Sequence, residues 1–191
     1  MIRPHELPAT GPAARFAGRL QAMLPEIETE RLRLRAPRIE DFPAYAEIVE
    51  GPSGRFVTDD PSRDGAWFDF TQMVATWMLR GHGLWTVERR AGGEPIGFVL
   101  LGFEPGDHEP ELGYLFRASA QGQGFATEAA IAARGHAFDA LGWSTLVSTV
   151  DPENHRSRDL ARRLGAVRDR DAEAAHPVDI LVYRHPSPEN A

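Results

Sequence analysis

The chain has 191 residues, 42% of them hydrophobic and 26% charged, with a formal net charge of −7; this suits one soluble domain with a proper core. The negative charge gives no general attraction to nucleic acid or anionic membranes, and no apolar run approaches the roughly 18 residues of a membrane span. With no cysteine, a disulfide framework, a thiol nucleophile and a thiolate metal site are excluded.

Met1 to Pro25 has scattered Arg and Pro but no continuous apolar stretch, so it is not a secretory signal and a cytoplasmic location is expected. Residues 1–25 are expected to be an extension, either a short helix around Ala13 to Met23 or a loose arm, ahead of one domain over 26–186. Glu28 to Ala36 sets Leu32 and Leu34 among charged neighbours, the pattern of a half-buried strand. Phe42, Tyr45, Ala46 and Val49 recur at helical spacing and stop at Gly51. Gly51 to Pro61 is a loop. Ser62 can cap a second helix with the apolar stripe Trp67, Phe70, Val74 and Trp77, ended by Gly81. Leu84 to Arg90 and Pro95 to Phe103 form a hairpin around Ala91-Gly92-Gly93-Glu94, and Glu111 to Phe116 is the next strand. A helix from Gly124 to Leu141 ends at Gly142. Thr145 to Val150 is a short buried strand whose helical crossover requires a parallel neighbour. A helix over His155 to Leu164, a weak strand near Ala166 to Asp169 and a strand over Val178 to Tyr183 complete the chain. The fold class is α/β, a mixed twisted sheet with helices on both faces. Glu40-Asp41 and Asp169 to Asp171 are expected to be solvated. The seven histidines show no metal-ligand spacing, so no metal is expected.

The segment Gln121-Gly122-Gln123-Gly124-Phe125-Ala126-Thr127 carries the chemistry. Its glycines let backbone approach a ligand closely, and the free amides and dipole of the following helix favour an anion. A phosphorylated cofactor is implied. No Lys-Ser/Thr pair follows, which excludes a P-loop. A dinucleotide fingerprint would put Thr127 in its last slot and lacks its acidic partner. Gln-x-x-Gly-x-Ala, met by Gln121, Gly124 and Ala126, resembles the pyrophosphate-binding motif of the GNAT superfamily of acyl-CoA-dependent N-acyltransferases. Glu111-Leu112-Gly113-Tyr114 resembles that family's fourth strand. Val150-Asp151-Pro152-Glu153-Asn154, with Ser157 and Leu164-Gly165, resembles its fifth strand and next helix. Thr29 to Arg35 is similar to the first strand of the ribosomal-protein-acetyltransferase-like (RimJ/RimL-like) branch. Together these matches span roughly residues 27 to 184.

The resemblance implies a sheet splayed between the fourth and fifth strands, with acetyl-CoA as cosubstrate lying in the split. Leu115, Phe116 and Arg117 would supply main-chain contacts to pantetheine. The amides of Gly122, Gln123, Gly124, Phe125, Ala126 and Thr127 would hold the pyrophosphate, with Gln121 and Gln123 assisting through their side-chain amides. Asn154 and Ser157 would touch the cofactor, though both residue types also cap helices. An ammonium has no lone pair, so an acceptor lysine of reference pKa about 10.4, or an α-amine near 8, must first lose a proton. Glu111 is the candidate base and Glu109 the reserve. Many family members place a tyrosine proton donor four residues after the serine, where this chain has Ala161. Ser157 could partly serve, or the thiolate leaves without a protein acid. Asp59 and Asp60, on the acceptor side of the resembled fold, are candidates for attracting a cationic amine, and one ring of the second helix could face that pocket. The implied activity is acetyl transfer from acetyl-CoA to a primary amine, on a protein N-terminus or a small molecule, by direct attack. No nucleic-acid or membrane partner is expected, and a homodimer is compatible with the resemblance. The rival reading is a non-catalytic acyl-CoA sensor or interaction module.

Overall fold

A computed structural model describes residues 3–187, so Met1 and Ile2 of the expected extension lie outside it. Helix α1 (Gly11–Gln21) carries Pro12 in its first turn, where a missing amide costs nothing. The stretch expected to be one strand is a hairpin, β1 (Ile27–Glu28) against β2 (Leu32–Arg35), with Ile27 opposite Leu34. Thr29 turns the chain, its hydroxyl oxygen accepting from the Leu32 amide at 3.0 Å. Helices α2 (Phe42–Val49) and α3 (Arg63–Arg80) follow. As expected, Ser62 caps α3 by accepting from the Gly65 amide at 3.1 Å, and Gly81 ends it at φ 75°.

Strands β3 (Leu84–Arg89), β4 (Pro95–Gly102) and β5 (Glu111–Phe116) form an antiparallel meander. Helix α4 (Phe125–Gly135) is shorter than expected, because the chain widens into a π turn over His136–Ala140 before reaching Gly142. The remainder is β6 (Val147–Val150), α5 (His155–Arg163), β7 (Val167–Arg168), α6 (Arg170–Ala175) and β8 (Leu181–Arg184). The expected last strand thus starts later, and α6 was not anticipated. Asp169, expected to be solvated, caps α6 by accepting from the Ala172 amide at 3.0 Å and binds Arg184 at 2.8 Å.

The sheet order is β1-β2-β3-β4-β5-β6-β8-β7, and only β5 and β6 run parallel. One face packs Leu32, Trp85, Val99 and Leu112 against Ala133 of α4 and Leu160 of α5. The other packs Phe98 and Leu100 under Phe42, Tyr45 and Phe70 of α2 and α3. The described part of the extension is tied to the domain on either side of α1, a helix that itself buries no residue. Glu6 pairs twice with Arg63, at 2.8 Å each, and Pro25 O accepts from the Trp85 indole at 2.8 Å.

The entry to α2 is pinned by a buried ion cluster. Arg35, 5% exposed, donates to Asp41 at 2.7 and 2.9 Å and to Glu88 at 2.7 Å. Asp41, expected to be solvated, is 2% exposed and also accepts from the Thr86 hydroxyl at 2.7 Å. Removing the cation leaves buried Asp41 with no ion-pair partner and Glu88 with only Arg33, at 3.4 Å. Arg35→Ala should therefore cost about 3–5 kcal/mol, measured as a lower denaturant midpoint with an unchanged slope.

Candidate active site

The site begins where a ladder breaks. Strands β5 and β6 pair only at Glu111 and Val147, with the Val147 amide donating to Pro110 O at 3.0 Å. Continuing the parallel ladder would carry the Thr149 amide to Leu112 O. Instead the Thr149 amide and hydroxyl donate to Glu111 Oε1 at 2.9 and 2.6 Å. Leu112 O accepts from the Ser148 hydroxyl at 2.6 Å. Side chains thus satisfy both halves of the missing rung, and the strands diverge without an orphaned polar group. Behind Ser148, His185 Nε2 lies 3.0 Å from its oxygen. Burial pushes the His185 imidazole down to about 4, so the ring is neutral. Because the Ser148 proton points to Leu112 O, the network assigns the ring proton to Nε2.

The divergence opens a cleft of about 1410 Å³ that runs from Glu111 to the start of α4. At that far end Gly122 and Gly124 adopt φ 73° and 80°, open to left-handed backbone only at a steric cost for other residues. Helix α4 starts directly after Gly124, so its first amides face the cleft. The two glutamines brace this loop from within. Gln121 Nε2 donates to Phe116 O at 3.2 Å and its Oε1 accepts from Arg156 at 2.5 Å. Gln123 donates to Ser119 O at 2.8 Å. Each side-chain amide thus spends one N–H within the loop and keeps a second. Sequence reading missed Arg31, which donates to Gln123 O at 3.0 Å and to Glu128 at 2.6 Å, over the Phe125 ring. Glu128 also accepts from the Thr29 hydroxyl at 2.5 Å. The β1–β2 turn therefore fixes the loop from outside, a link across 97 residues that no local pattern announces.

The open edge of β5 is set by parity. The Arg117 amide donates to Ile96 O at 3.0 Å, and Leu115 stands opposite Phe98. Alternation turns the backbone polar groups of Leu115 and Arg117 toward β4. The main-chain groups facing the split are those of Tyr114 and Phe116. Leu115 contributes its side chain to the cleft, and the Arg117 guanidinium is held by Glu47 and Glu94 at 2.6 and 2.7 Å. Phe116 alone keeps the expected main-chain position. Asn154 and Ser157 both line the cleft, and Asn154 Oδ1 also caps α5 by accepting from the Ser157 amide at 3.2 Å. The Ser157 hydroxyl donates to Tyr114 Oη at 3.1 Å, and Tyr114 Oη donates to Ser157 O at 3.2 Å. Ala161 is fully buried in a small core cluster.

At the other end, Glu111 is half-buried and its carboxyl is pushed up to about 7. Burial is the cause, opposed by the Thr149 hydrogen bonds and reinforced by Asp107 and Glu104. Glu109 differs sharply: Arg184 binds it at 2.6 and 2.7 Å and the Thr145 hydroxyl at 2.5 Å, which holds its carboxyl below the ordinary range. It does not line the main cleft, so the reserve candidate is engaged elsewhere. Asp59 and Asp60 are exposed and also off the cleft, where Asp60 accepts from the Ser62 amide at 3.1 Å in the turn into α3. Their loop reaches the cleft through Ser53, Phe56 and Val57 instead. The aromatic stripe of α3 is core, and Met73 is the α3 side chain at the cleft. Glu104 lines the cleft near Glu111, with its carboxyl raised by burial and then by Asp107 and Asp69. Among the described residues no group of three or more His, Asp or Glu side chains could hold a metal ion, and no helix is long and apolar enough to cross a membrane.

A family model described as an acetyltransferase (GNAT) domain matches residues 31–167. An acetyltransferase structure from Agrobacterium tumefaciens is 36% identical, with 86% of this chain and 95% of that chain covered at a TM-score of 0.78. The structure of RimL, a ribosomal L7/L12 α-N-protein acetyltransferase in complex with coenzyme A, is 20% identical, with coverage of 85% and 98% and a TM-score of 0.66. A ribosomal-protein-S5-alanine acetyltransferase from Vibrio fischeri is 16% identical, with coverage of 87% and 99% and a TM-score of 0.65. At these lower identities the likeness is one of fold. No curated protein matches the chain.

The double use of Glu111 yields a stability test. Glu111→Ala strands the Thr149 amide and should cost about 1–3 kcal/mol, whereas Glu111→Gln keeps an acceptor oxygen and should cost less. The folded-state carboxyl lies near 7, above its ordinary value of 4.5. Its proton is thus held more tightly when folded, and this stabilising contribution is complete below about 4.5 and lost as pH rises to about 7. Thermal melts should show wild type losing stability relative to Glu111→Gln across that interval.

Proposed function

Because the chain belongs to the GNAT acetyltransferase family and is an acetyl-CoA-dependent N-acetyltransferase, we propose that its acceptor is a primary amine, presented as a cation past Glu104 and deprotonated by Glu111. The observation that carries this reading is the unpaired Glu111 carboxyl, raised to about 7, at the point where the sheet splits. Among the described residues no Lys, Arg or His forms an ion pair with Glu111 or Glu104. A base poised near neutral pH takes a proton most effectively there, and a second unpaired carboxylate favours an ammonium. The same cleft has apolar walls from one cluster, Ile48, Val57, Met73 and Leu100, which suits an α-amino terminus or a small-molecule amine with an apolar neighbour.

The chain also fits acetyl-CoA, which supplies an activated thioester. A Cβ at Gly122 would meet nothing, and one at Gly124 would meet only Arg31 Nη2 at 3.4 Å, so the amides of the turn and of α4 stand open to an anion. The main-chain groups of Tyr114 and Phe116 can pair with an extended amide-bearing arm along the open edge of β5. We place the reaction in the cytoplasm. Direct attack in a ternary complex follows from one continuous cleft holding both the anion cradle and Glu111, with no cysteine to carry an acyl group.

Thiol release from acetyl-CoA, followed with a panel of peptide N-termini and small amines and product masses, tests this reading. Glu111→Gln should lower turnover on the best acceptor by roughly 10²-fold at neutral pH. It should also remove the acidic limb near pH 7 from the rate profile and recover partly at high pH. Equal rates for wild type and variant from pH 6 to 9 would exclude Glu111 as base. Glu104→Gln should raise KM for a cationic amine about threefold to tenfold, consistent with a partly screened charge, and leave KM for acetyl-CoA unchanged. Asp59→Asn with Asp60→Asn should change neither. An amine KM that responds to the aspartates and ignores Glu104 would move the acceptor entrance to their loop.

A further inference from the structure

Aminolysis of a thioester needs two proton transfers at one carbon: the nitrogen loses a proton and the departing sulfur gains one. Glu111 answers the first. Alternation along β5 puts Glu111, Gly113 and Leu115 on one face and Leu112, Tyr114 and Phe116 on the other. Leu115 packs with the α2–α3 side and Tyr114 with the α4–α5 side. The base and the Tyr114 hydroxyl therefore flank the open edge of one strand from opposite faces, both on the same cleft.

The surroundings of Tyr114 Oη suit a proton donor. It contacts both the hydroxyl and the carbonyl of Ser157, at 3.1 and 3.2 Å. Ser157, the α5 side chain that meets it on the cleft, precedes by one helical turn Ala161, whose methyl is buried in a separate core cluster and offers no donor there. Burial raises the phenol to about 12, so the hydroxyl carries its proton at neutral pH and can donate it in a hydrogen bond. The Ser157 hydroxyl, itself on the cleft, supplies a path back to solvent.

From this geometry we propose that Tyr114 is the proton donor to the departing sulfur and that Ser157 returns the proton to it, a role that rests on the acetyl-transfer reading above. The step balances. As the nitrogen bonds to the acetyl carbon, its proton passes to Glu111. The carbon–sulfur bond breaks with its electron pair on sulfur, and Tyr114 Oη gives its proton to that sulfur. The tyrosinate then recovers a proton through Ser157 and water as Glu111 releases one, leaving amide, free thiol and the starting enzyme.

The test reads binding as well as rate. A donor aimed at sulfur holds thiolate better than thiol, so wild-type affinity for CoA should rise between pH 7 and pH 9.5 by about tenfold more than that of Tyr114→Phe, the scale of a hydrogen bond to a charged group. Desulfo-CoA, which lacks the sulfur, should bind wild type and variant alike at both pH values; this also shows that the variant is folded. Turnover of Tyr114→Phe should fall on the order of 10²-fold with KM for acetyl-CoA unchanged. Ser157→Ala should lower turnover less, and adding it to Tyr114→Phe should lower turnover no further. If wild type binds CoA and the two proteins show the same pH dependence of CoA affinity, or if the losses from the two substitutions simply add, the assignment of Tyr114 and Ser157 is overturned. Failure of wild type to bind CoA at all would instead overturn the acetyl-transfer reading.

Discussion

A parallel pair of strands that stops pairing after one rung must satisfy the amides and carbonyls it leaves behind, and the rest of this molecule is arranged around that requirement. Buried unpaired backbone groups each cost on the order of 1–3 kcal/mol, so a sheet cannot simply split. Here Glu111 takes the Thr149 amide and Ser148 takes the Leu112 carbonyl. The split edge becomes a cleft whose first two wall groups are a carboxylate and a hydroxyl. A structural necessity has thus placed a titratable group at the point where the sheet opens.

The other end of the cleft depends on a different kind of support. A turn with two left-handed glycines is soft, and an anion site needs its amides aimed before the ligand arrives. Arg31 and Glu128 tie the turn and the first turn of α4 to the β1–β2 hairpin, while Gln121 and Gln123 close it from within. The hairpin is in turn the edge of the sheet. Rigidity therefore runs from the N-terminal strands to the cradle through one guanidinium–carboxylate pair and its flanking hydroxyl.

Two carboxylates of the same type, two residues apart, show how environment assigns roles. Glu109 has Arg184 and Thr145 around it and is held ionised. Glu111 has burial, two neutral donors from Thr149 and like charges beyond, and its carboxyl sits near neutrality. The first is a tie between β8 and the loop entering β5. The second can change protonation state at the pH of the cell. Strand alternation alone puts both on one face and cannot distinguish them.

The sequence by itself determined the elements with strong periodicity or chemical punctuation. These include α3 between Ser62 and Gly81, the β3–β4 hairpin at Gly92-Gly93, the parallel crossover through α4, and the glycine turn at its start. Each of these is set by contacts within a few residues, or by steric limits on a single backbone position, so residue order suffices. Glu111, Asn154 and Ser157 were legible differently, through their match to a family motif rather than through local pattern, and all three line the cleft. Only the tertiary structure decided that Glu28 to Ala36 folds as a hairpin, because its turn is held by Glu128 from another helix. It also decided which β5 backbone groups are open, since that parity is fixed by the register against β4. Likewise it turned Asp41 and Asp169 from apparent surface charges into partners of Arg35 and Arg184, and left Asp59 and Asp60 outside the cleft. Above all it brought Tyr114 to Ser157 across 43 residues. Such pairings depend on where separate elements meet in space, and local sequence pattern carries no record of that.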